Sequence, residues 1–588
     1  MKAANSKKTQ KKTKTSAAWF ENLNNRRAFI LLALLCFIYY GNTIFNDYSL
    51  DDVYVTNNEQ VKKGFSAIGE IFTTQYARNI FEDGESLSFG YRPVVKTTFA
   101  IEYAIFGSNP HISHLINLLL YLLTVFTVFV ILKKLFSSYD HAGILFPLTI
   151  TILFLIHPVH TEVVSSLKNR DELMSFLFSL LSCWFFYHFT TGKGIHHLIT
   201  GLVLFVTAYL SKSSAIAFLA VIPFLLWFMP EANKKRIVLV AAVLVMAWIG
   251  IKFGVAQLFP DRSRPKQFVE NPMLNYNKLQ RIPTGLFILL FYLKMIFIPY
   301  PMRFYYGYNL FPVKTWEDPV VWVSLVIHLA LFILALYSFK RKKWLFWGII
   351  LYLIFISMYS NIVRLIMGIA ADRFLYAASL GFSIVVAGFL FQVFKISQDF
   401  RQVTARNLKN FGVILLLLFV ITVIYTNRRN VQWKTQESLV AHDIDYLKNS
   451  ARANYIYAGM LKNEAMKDAT DNNGFSSWEK VRKAEEHYRQ ALQVYPDYYQ
   501  AYNMLGSIYF SFYKNHQQAV EYFSKAVQIN PSYVPAIGNL AWVYFKMKNF
   551  SEAEKYYQLA IKLKPHNPQF KEELNRLYEE AGDTTRVR

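Results

Sequence analysis

Long apolar runs, broken by short basic or polar stretches, fill the first ~430 residues, and a charged pattern of amphipathic helices follows. The apolar runs lie at about 28–45, 112–132, 142–159, 172–190, 195–211, 213–229, 236–256, 283–300, 319–338, 344–360, 374–394 and 410–426. Most approach twenty residues, the length of a helix that crosses a bilayer core. The pattern predicts an all-α chain: a polytopic transmembrane helical domain followed by a C-terminal helical solenoid.

Basic residues mark one side of the membrane. Residues 1–27 hold eight Lys/Arg against Glu21 and carry no small-residue cleavage site, so they read as a cytoplasmic leader before a retained first span. Lys133-Lys134, Lys234 to Arg236, Lys340 to Lys343 and Lys395 to Lys409 fall in expected inner loops. Twelve simple crossings would put Lys340–Lys343 outside. The segment 283–300, with Lys294 and the flanking Pro283, Pro299 and Pro301, is therefore the candidate for one that does not cross. The layout expected is a leader 1–27, a membrane domain 28–430 of eleven to twelve spans with an outer loop 46–111, a linker 431–450, repeats and a capping helix over 451–580, and a tail 581–588. The basic outer loop 258–282, with Arg262, Arg264, Lys266 and Arg281, is the exception to the charge rule.

The C-terminal region repeats itself. Pro496, Pro531 and Pro565 are 35 and 34 residues apart, and Ala484, Ala519 and Ala553 keep the same steps. Leu505-Gly506 with Tyr509 recurs as Leu540-Ala541 with Tyr544. Small residues where helices meet, aromatics between them and a closing proline are the tetratricopeptide pattern. The repeats are expected at about 451–497, 498–531 and 532–565, the first carrying a polar insert Lys467–Ser477. Such arrays form concave peptide-binding surfaces, with Asn503, Tyr509, Asn539 and Tyr544 as candidate contacts.

The balance of +24 charge with 54% hydrophobic residues excludes a single soluble domain. Topology accounts for the basic leader, so no nucleic-acid partner is implied. Cys36 and Cys183, both in apolar segments, offer no disulfide framework or cysteine zinc site. No glycine-rich phosphate loop, Gly-x-Ser-x-Gly elbow or His-Glu-x-x-His helix is present, which disfavours ATP hydrolysis and zinc proteolysis.

Chemistry gathers at the outer ends of the first spans. Asp51 and Asp52 sit side by side past the first segment, where packing gains nothing from two like charges and a general base or cation site does. Tyr91-Arg92-Pro93 precedes the second span, and a guanidinium there suits a phosphate. His157-Pro158-Val159-His160-Thr161-Glu162 ends the third, followed by Lys168, Arg170, Asp171 and Glu172. His157, His160 and Glu162 are candidates to shape a cavity or hold a metal, which leaves Mg or Mn open as a cofactor. Arg364 and Arg373 bracket another outer loop, and Lys212 reads as a loop residue or a buried cation.

The acidic pair, Tyr-Arg-Pro, His-Pro-Val-His-Thr-Glu, the string Ala371-Asp-Arg-Phe-Leu-Tyr-Ala-Ala-Ser-Leu-Gly381 and the repeats together resemble the transmembrane and tetratricopeptide-repeat O-mannosyltransferases, within the membrane GT-C glycosyltransferases. The resemblance covers nearly the whole chain. It implies inverting transfer of a sugar, mannose in the family, from a polyprenyl-phosphate donor to a Ser or Thr hydroxyl. Asp51 or Asp52 would be the base, and Arg92, Arg170, Arg364 and Arg373 would hold the donor phosphate. The repeats would present an acceptor polypeptide. With about three repeats and a Lys- and Asn-rich style, the chain reads as a bacterial relative. Its expected seat is the inner membrane with site and repeats extracytoplasmic, the endoplasmic reticulum being the alternative. A non-enzymatic scaffold or lipid transporter recruiting partners through its repeats is the competing reading.

Overall fold

The computed structural model describes residues 24–82, 85–137, 143–259, 267–396, 403–470, 474–565 and 567–582. Most of the basic leader, Arg262, Arg264, Lys266 and the last six residues lie outside the described residues. The fold is helical, and a helix occupies each of the twelve apolar segments. They are α1 (Asn25–Tyr40), then, after α2 (Pro93–Phe106), α3 (Pro110–Leu135), α4 (Leu145–Leu155), α5 (Arg170–Thr190), α6 (Ile195–Ser211), α7 (Phe218–Phe228), α8 (Lys234–Leu258), α9 (Ile282–Phe297), α10 (Pro319–Ser338), α11 (Lys343–Ser357), α12 (Ala378–Val393) and α13 (Ala405–Gln432). One antiparallel ribbon, β1 (Ala77–Glu82) with β2 (Glu85–Phe89), interrupts the outer loop.

Among the described residues six helices are long and apolar enough to cross a membrane, or seven if α4 and Pro158–Ser165, bent by 56°, form one span. The chain is thus an integral membrane protein by helix length and composition. Prolines open α2, α3 and α10, where the missing amide would be unpaired anyway. The helix α9 is unbroken for 16 residues. At 1.5 Å per residue it rises about 24 Å, short of the ~30 Å hydrocarbon core.

Helix ends carry the polar work. The N-terminal end of α3 touches the first outer loop, where His114 meets the Asp47 carbonyl at 3.3 Å. Its C-terminal end carries Lys133 and Lys134, and Lys134 lies 3.7 Å from Glu231 ahead of α8. Arg236, in the first turn of α8, donates to the Phe189 carbonyl at that same end.

The repeats follow α14 (Gln436–Asp443) as α15 (Ala451–Thr470), α16 (Gly474–Val494), α17 (Tyr499–Ser511), α18 (His516–Ile529), α19 (Val534–Lys546) and α20 (Phe550–Leu563), with α21 (Pro568–Glu580) as the cap. The polar insert is largely taken up by lengthening the first pair, whose helices run 20 and 21 residues against 13 and 14 in the next. The tetratricopeptide logic is visible at Gly506, where an added Cβ would lie 2.7 Å from the Phe523 ring.

The two regions are locked together. Arg429, one turn from the end of α13, is buried and forks onto Asp443 at 2.6 and 2.8 Å. Asp443 also accepts from the Phe304 backbone at 2.7 Å. This pairing explains basic residues directly after the last span: Arg429 is an internal tie. Asn309 donates to the Asn449 carbonyl, and Val269 is buried among α15 and α16. Removing one partner of a buried pair costs about 3–5 kcal/mol. Asp443→Ala should therefore lower the melting temperature and expose 436–450 to protease, while Asp445→Ala, at a 75% exposed side chain, should change neither.

Candidate functional site

The first outer loop reaches the site through a strained turn. Leu50 has φ 45°, a conformation uncommon for a bulky side chain, and Asp51 and Asp52 follow in a short 3₁₀ turn. The turn points the two carboxylates in different directions. Asp52 is fully buried and accepts from Ser49 N at 3.0 Å, Lys168 N at 2.8 Å and Ser166 Oγ at 3.4 Å. It ties the 49–52 turn to the loop before α5. Asp51 is exposed on that turn and lines a cavity of about 150 Å³.

Glu162, Lys168, Glu270, Tyr305, Arg373 and Arg452 line the same cavity. Glu162 ion-pairs with Arg373 and also accepts the Arg373 backbone N–H at 2.8 Å. The Nε of Arg373 is buried without a hydrogen-bond partner. Asp51 lies within electrostatic reach of that guanidinium. The Lys168 ammonium forms no ion pair among the described residues, and its field is shared with Asp171, Arg373, Lys212 and Arg92. Behind it, Asp171 is paired with Arg92 and, at 3.0 Å, with Lys212, which also reaches Glu172 at 2.7 Å. Lys212 is therefore a partly buried, paired cation. A second strained position, Ile369 at φ 50°, sits between the lining residues Gly368 and Ala370.

Two further, small cavities lie in the membrane domain. The first, about 20 Å³, shares Arg373 with this one and is lined also by Glu172, Phe176, Phe218 and Phe355. The second, of similar size, shares those three phenylalanines and is otherwise lined by aliphatic residues of α3, α5, α7, α11 and α12.

The remaining candidates lie elsewhere. Arg170 is fully buried and spends its donors on Glu102, Asn117 (2.7 Å), Thr98 (3.1 Å) and the Ser113 carbonyl (2.9 Å). It joins α2, α3 and α5 and does not line the cavity. Arg364 is exposed on the loop between α11 and α12 and does not line it either. Arg92 sits over the Tyr76 ring and reaches the cavity only through the field it shares with Arg373. His157 faces the Ile296 carbonyl at 2.9 Å, and His160 is held by Tyr121 OH (2.8 Å) and Ser379 Oγ (2.7 Å). Of the three candidate metal ligands only Glu162 lines the cavity. Among the described residues no group of three His, Cys, Asp or Glu side chains fits a metal ion. On the repeats, Asn539 donates to Asn503 at 2.9 Å, while Tyr509 donates to Glu485 at 2.8 Å and Tyr544 stacks on Tyr556.

Sequence reasoning did not assign Lys168, Glu270, Tyr305 or Arg452 to the site. Lys168 stood in the charged run with Arg170. Lys168 lies in a 3₁₀ turn ahead of α5 and Arg170 opens that helix, so the two residues face different ways. For Glu270, Tyr305 and Arg452 no local signal exists, since only the packing of distant loops on α15 brings them in.

Fold and site define a helical membrane protein with a charged chamber under a repeat array. Two tetratricopeptide-repeat families match residues 479–534 and 513–583. Over most of its length the chain's homologues are protein O-mannosyl-transferases. It is 25% identical over 484 residues to protein O-mannosyl-transferase F38B6.6 of Caenorhabditis elegans, covering 81% of this chain and 64% of that protein. It is 24% identical over 535 residues to protein O-mannosyl-transferase TMTC1 of Homo sapiens, covering 82% of this chain and 56% of the human one. The chain thus spans about three-fifths of the length of these relatives.

Burial raises the Asp52 carboxyl to about 7, beyond what its N–H and O–H donors offset, and the neighbouring Asp51 charge adds to the rise. An unfolded aspartate titrates near 3.9. Folding therefore takes up a proton between these values, and the junction loses stability as pH rises from about 4 to 7. Amide-exchange protection at Lys168, corrected for its intrinsic rate, should fall across that window, and Asp52→Asn should flatten the dependence.

Proposed function

We propose that the chain is a GT-C-type glycosyltransferase that moves a sugar, mannose in its named relatives, from a polyprenyl-phosphate carrier to a Ser or Thr hydroxyl of a protein. The observation that carries this reading is the chamber that brings Asp51, Lys168 and Arg373 together, with apolar side chains behind Arg373. Among the described residues the Lys168 ammonium has no ion partner and the Arg373 Nε no acceptor, and Arg373 also borders a small space lined by Phe176, Phe218 and Phe355. A lipid phosphate asks for both parts: cations for its head and apolar side chains for its tail.

In this reading Asp51 is the general base. It takes the proton of the acceptor hydroxyl as that oxygen bonds to the anomeric carbon from the face opposite the phosphate. The bond from the anomeric carbon to the phosphate oxygen breaks, its electron pair leaves with the lipid phosphate, and the configuration inverts. Arg373 and Lys168 stabilise the leaving charge, with Arg92 and Lys212 adding to the positive field. Glu162 keeps Arg373 oriented. Asp52 is a positioning residue, since its acceptor capacity is taken up by the two loops it joins. Arg170 supports the fold beneath.

The chamber is proposed to be extracytoplasmic, in a bacterial inner membrane or the equivalent face of the endoplasmic reticulum. The basic ends at Lys133-Lys134 and Lys234 to Arg236 lie at the opposite end of α3, which is the side the charge rule assigns to the cytoplasm. The repeats stand on the chamber side and would offer the acceptor through Asn539 and the tyrosines Tyr509 and Tyr544, while Asn503 is buried and serves to hold Asn539.

With purified protein, labelled polyprenyl-phosphate mannose and a Ser/Thr-rich peptide, Asp51→Asn should lose transfer by about 10²–10⁴-fold with its fold retained, the range expected for a positioned base. Lys168→Met should lower kcat, and Asp52→Asn should reduce activity less than Asp51→Asn. Full transfer by Asp51→Asn would overturn the assignment and leave the scaffold or transporter reading standing.

A further inference from the structure

The chamber is not built by the membrane domain alone. Arg452 and Ile456, on the first repeat helix α15, form part of its wall. The first helices of successive repeats, α15, α17 and α19, touch one another, which makes them the inner layer of the array. Aligning these helices on Ala453, Ala501 and Ala536 puts Arg452 in register with Gln500 and Pro535, and Ile456 with Met504 and Asn539. The first helix of the inner layer is therefore the one that reaches the cavity that holds Asp51. The Arg452 side chain is well fixed there. Its residue is only 8% exposed, Nη1 donates to the Tyr498 hydroxyl at 3.2 Å, and the guanidinium lies 5.5 Å from the Tyr455 ring centroid. The buried Glu270, from a loop packed against the same helix, lines the chamber with it.

We propose that Arg452 is a specificity-determining residue of the acceptor site: from the repeat side it takes a carbonyl or carboxylate oxygen of the polypeptide next to the hydroxyl that meets Asp51. The inference rests on the transfer reading above. It makes the first repeat a wall of the reaction chamber as well as a docking platform. A guanidinium suits the task because it holds several donors in one plane and stays charged when buried.

The test uses the full chain in nanodiscs, with polyprenyl-phosphate mannose and a synthetic Ser/Thr peptide. Three quantities are read for wild type, Arg452→Gln and Arg452→Lys: peptide KM, lipid KM, and release of mannose to water without peptide. Arg452→Gln should raise peptide KM by about tenfold or more, as expected for losing a charged hydrogen bond. Lipid KM and water hydrolysis should stay within about twofold, and Arg452→Lys should recover part of the loss. Unchanged peptide KM overturns the proposal. So does a parallel loss in all three readouts, which would assign Arg452 to the fold alone. Retained transfer by Asp51→Asn would instead fail the underlying reading, so the two failures are distinguishable.

Discussion

Asp52 holds two loops with one carboxylate, and the geometry of the chamber follows from that bond set. The turn before Asp51 runs through a left-handed leucine, a conformation that costs on the order of 1–3 kcal/mol and persists only where surroundings over-determine it. Hydrogen bonds from Ser49, Ser166 and Lys168 converge on Asp52 and supply that determination. The same bonds bring Asp51 and Lys168 together in the wall of the chamber. Two adjacent aspartates, alike in sequence, thereby acquire different roles: one is committed to structure and the other is exposed to chemistry.

Charge neutralisation is the second level of organisation. The membrane face buries Arg170, Asp171, Glu102 and Glu162, and each has an opposite partner. Burying these groups singly would be prohibitive, so the pairs also fix how α2, α3 and α5 meet. Against that background the Lys168 ammonium and the Arg373 Nε, without ion partner or acceptor among the described residues, stand out as capacity for an anion. The Arg429–Asp443 tie then presses the repeats onto the outer loops, so that α15 closes the chamber from above.

Much of this was legible in the sequence. Apolar run length located the twelve membrane-domain helices, and the 34–35-residue spacing of prolines and alanines located the repeats, because both patterns depend on local periodicity. The position of the chamber was legible too, from an acidic pair and charged strings at span ends where lipid should begin. Which members of those strings face one another was not. Arg170 and Lys168 differ by two residues, yet face different ways. His160 is drawn into an aromatic cluster with Tyr121, Phe154 and Tyr376. Glu270 and Arg452 enter through contacts between segments 182 residues apart in the chain, which no motif announces. The inward direction of Arg429 depended on Asp443, a residue with no distinguishing local context.

The central claim is that a lipid phosphate lies against Arg373 and Lys168 in the polar chamber while its tail packs on the apolar side chains behind Arg373. The direct measurement is a cryo-electron-microscopy structure of the protein in nanodiscs with a non-hydrolysable polyprenyl-phosphonate sugar. The account predicts phosphonate density in contact with Arg373 and Lys168, the sugar beside Asp51, and the chain between Phe176, Phe218 and Phe355. Headgroup density outside the chamber, with the lipid resting on the outer surface of α8 or α10, would contradict it.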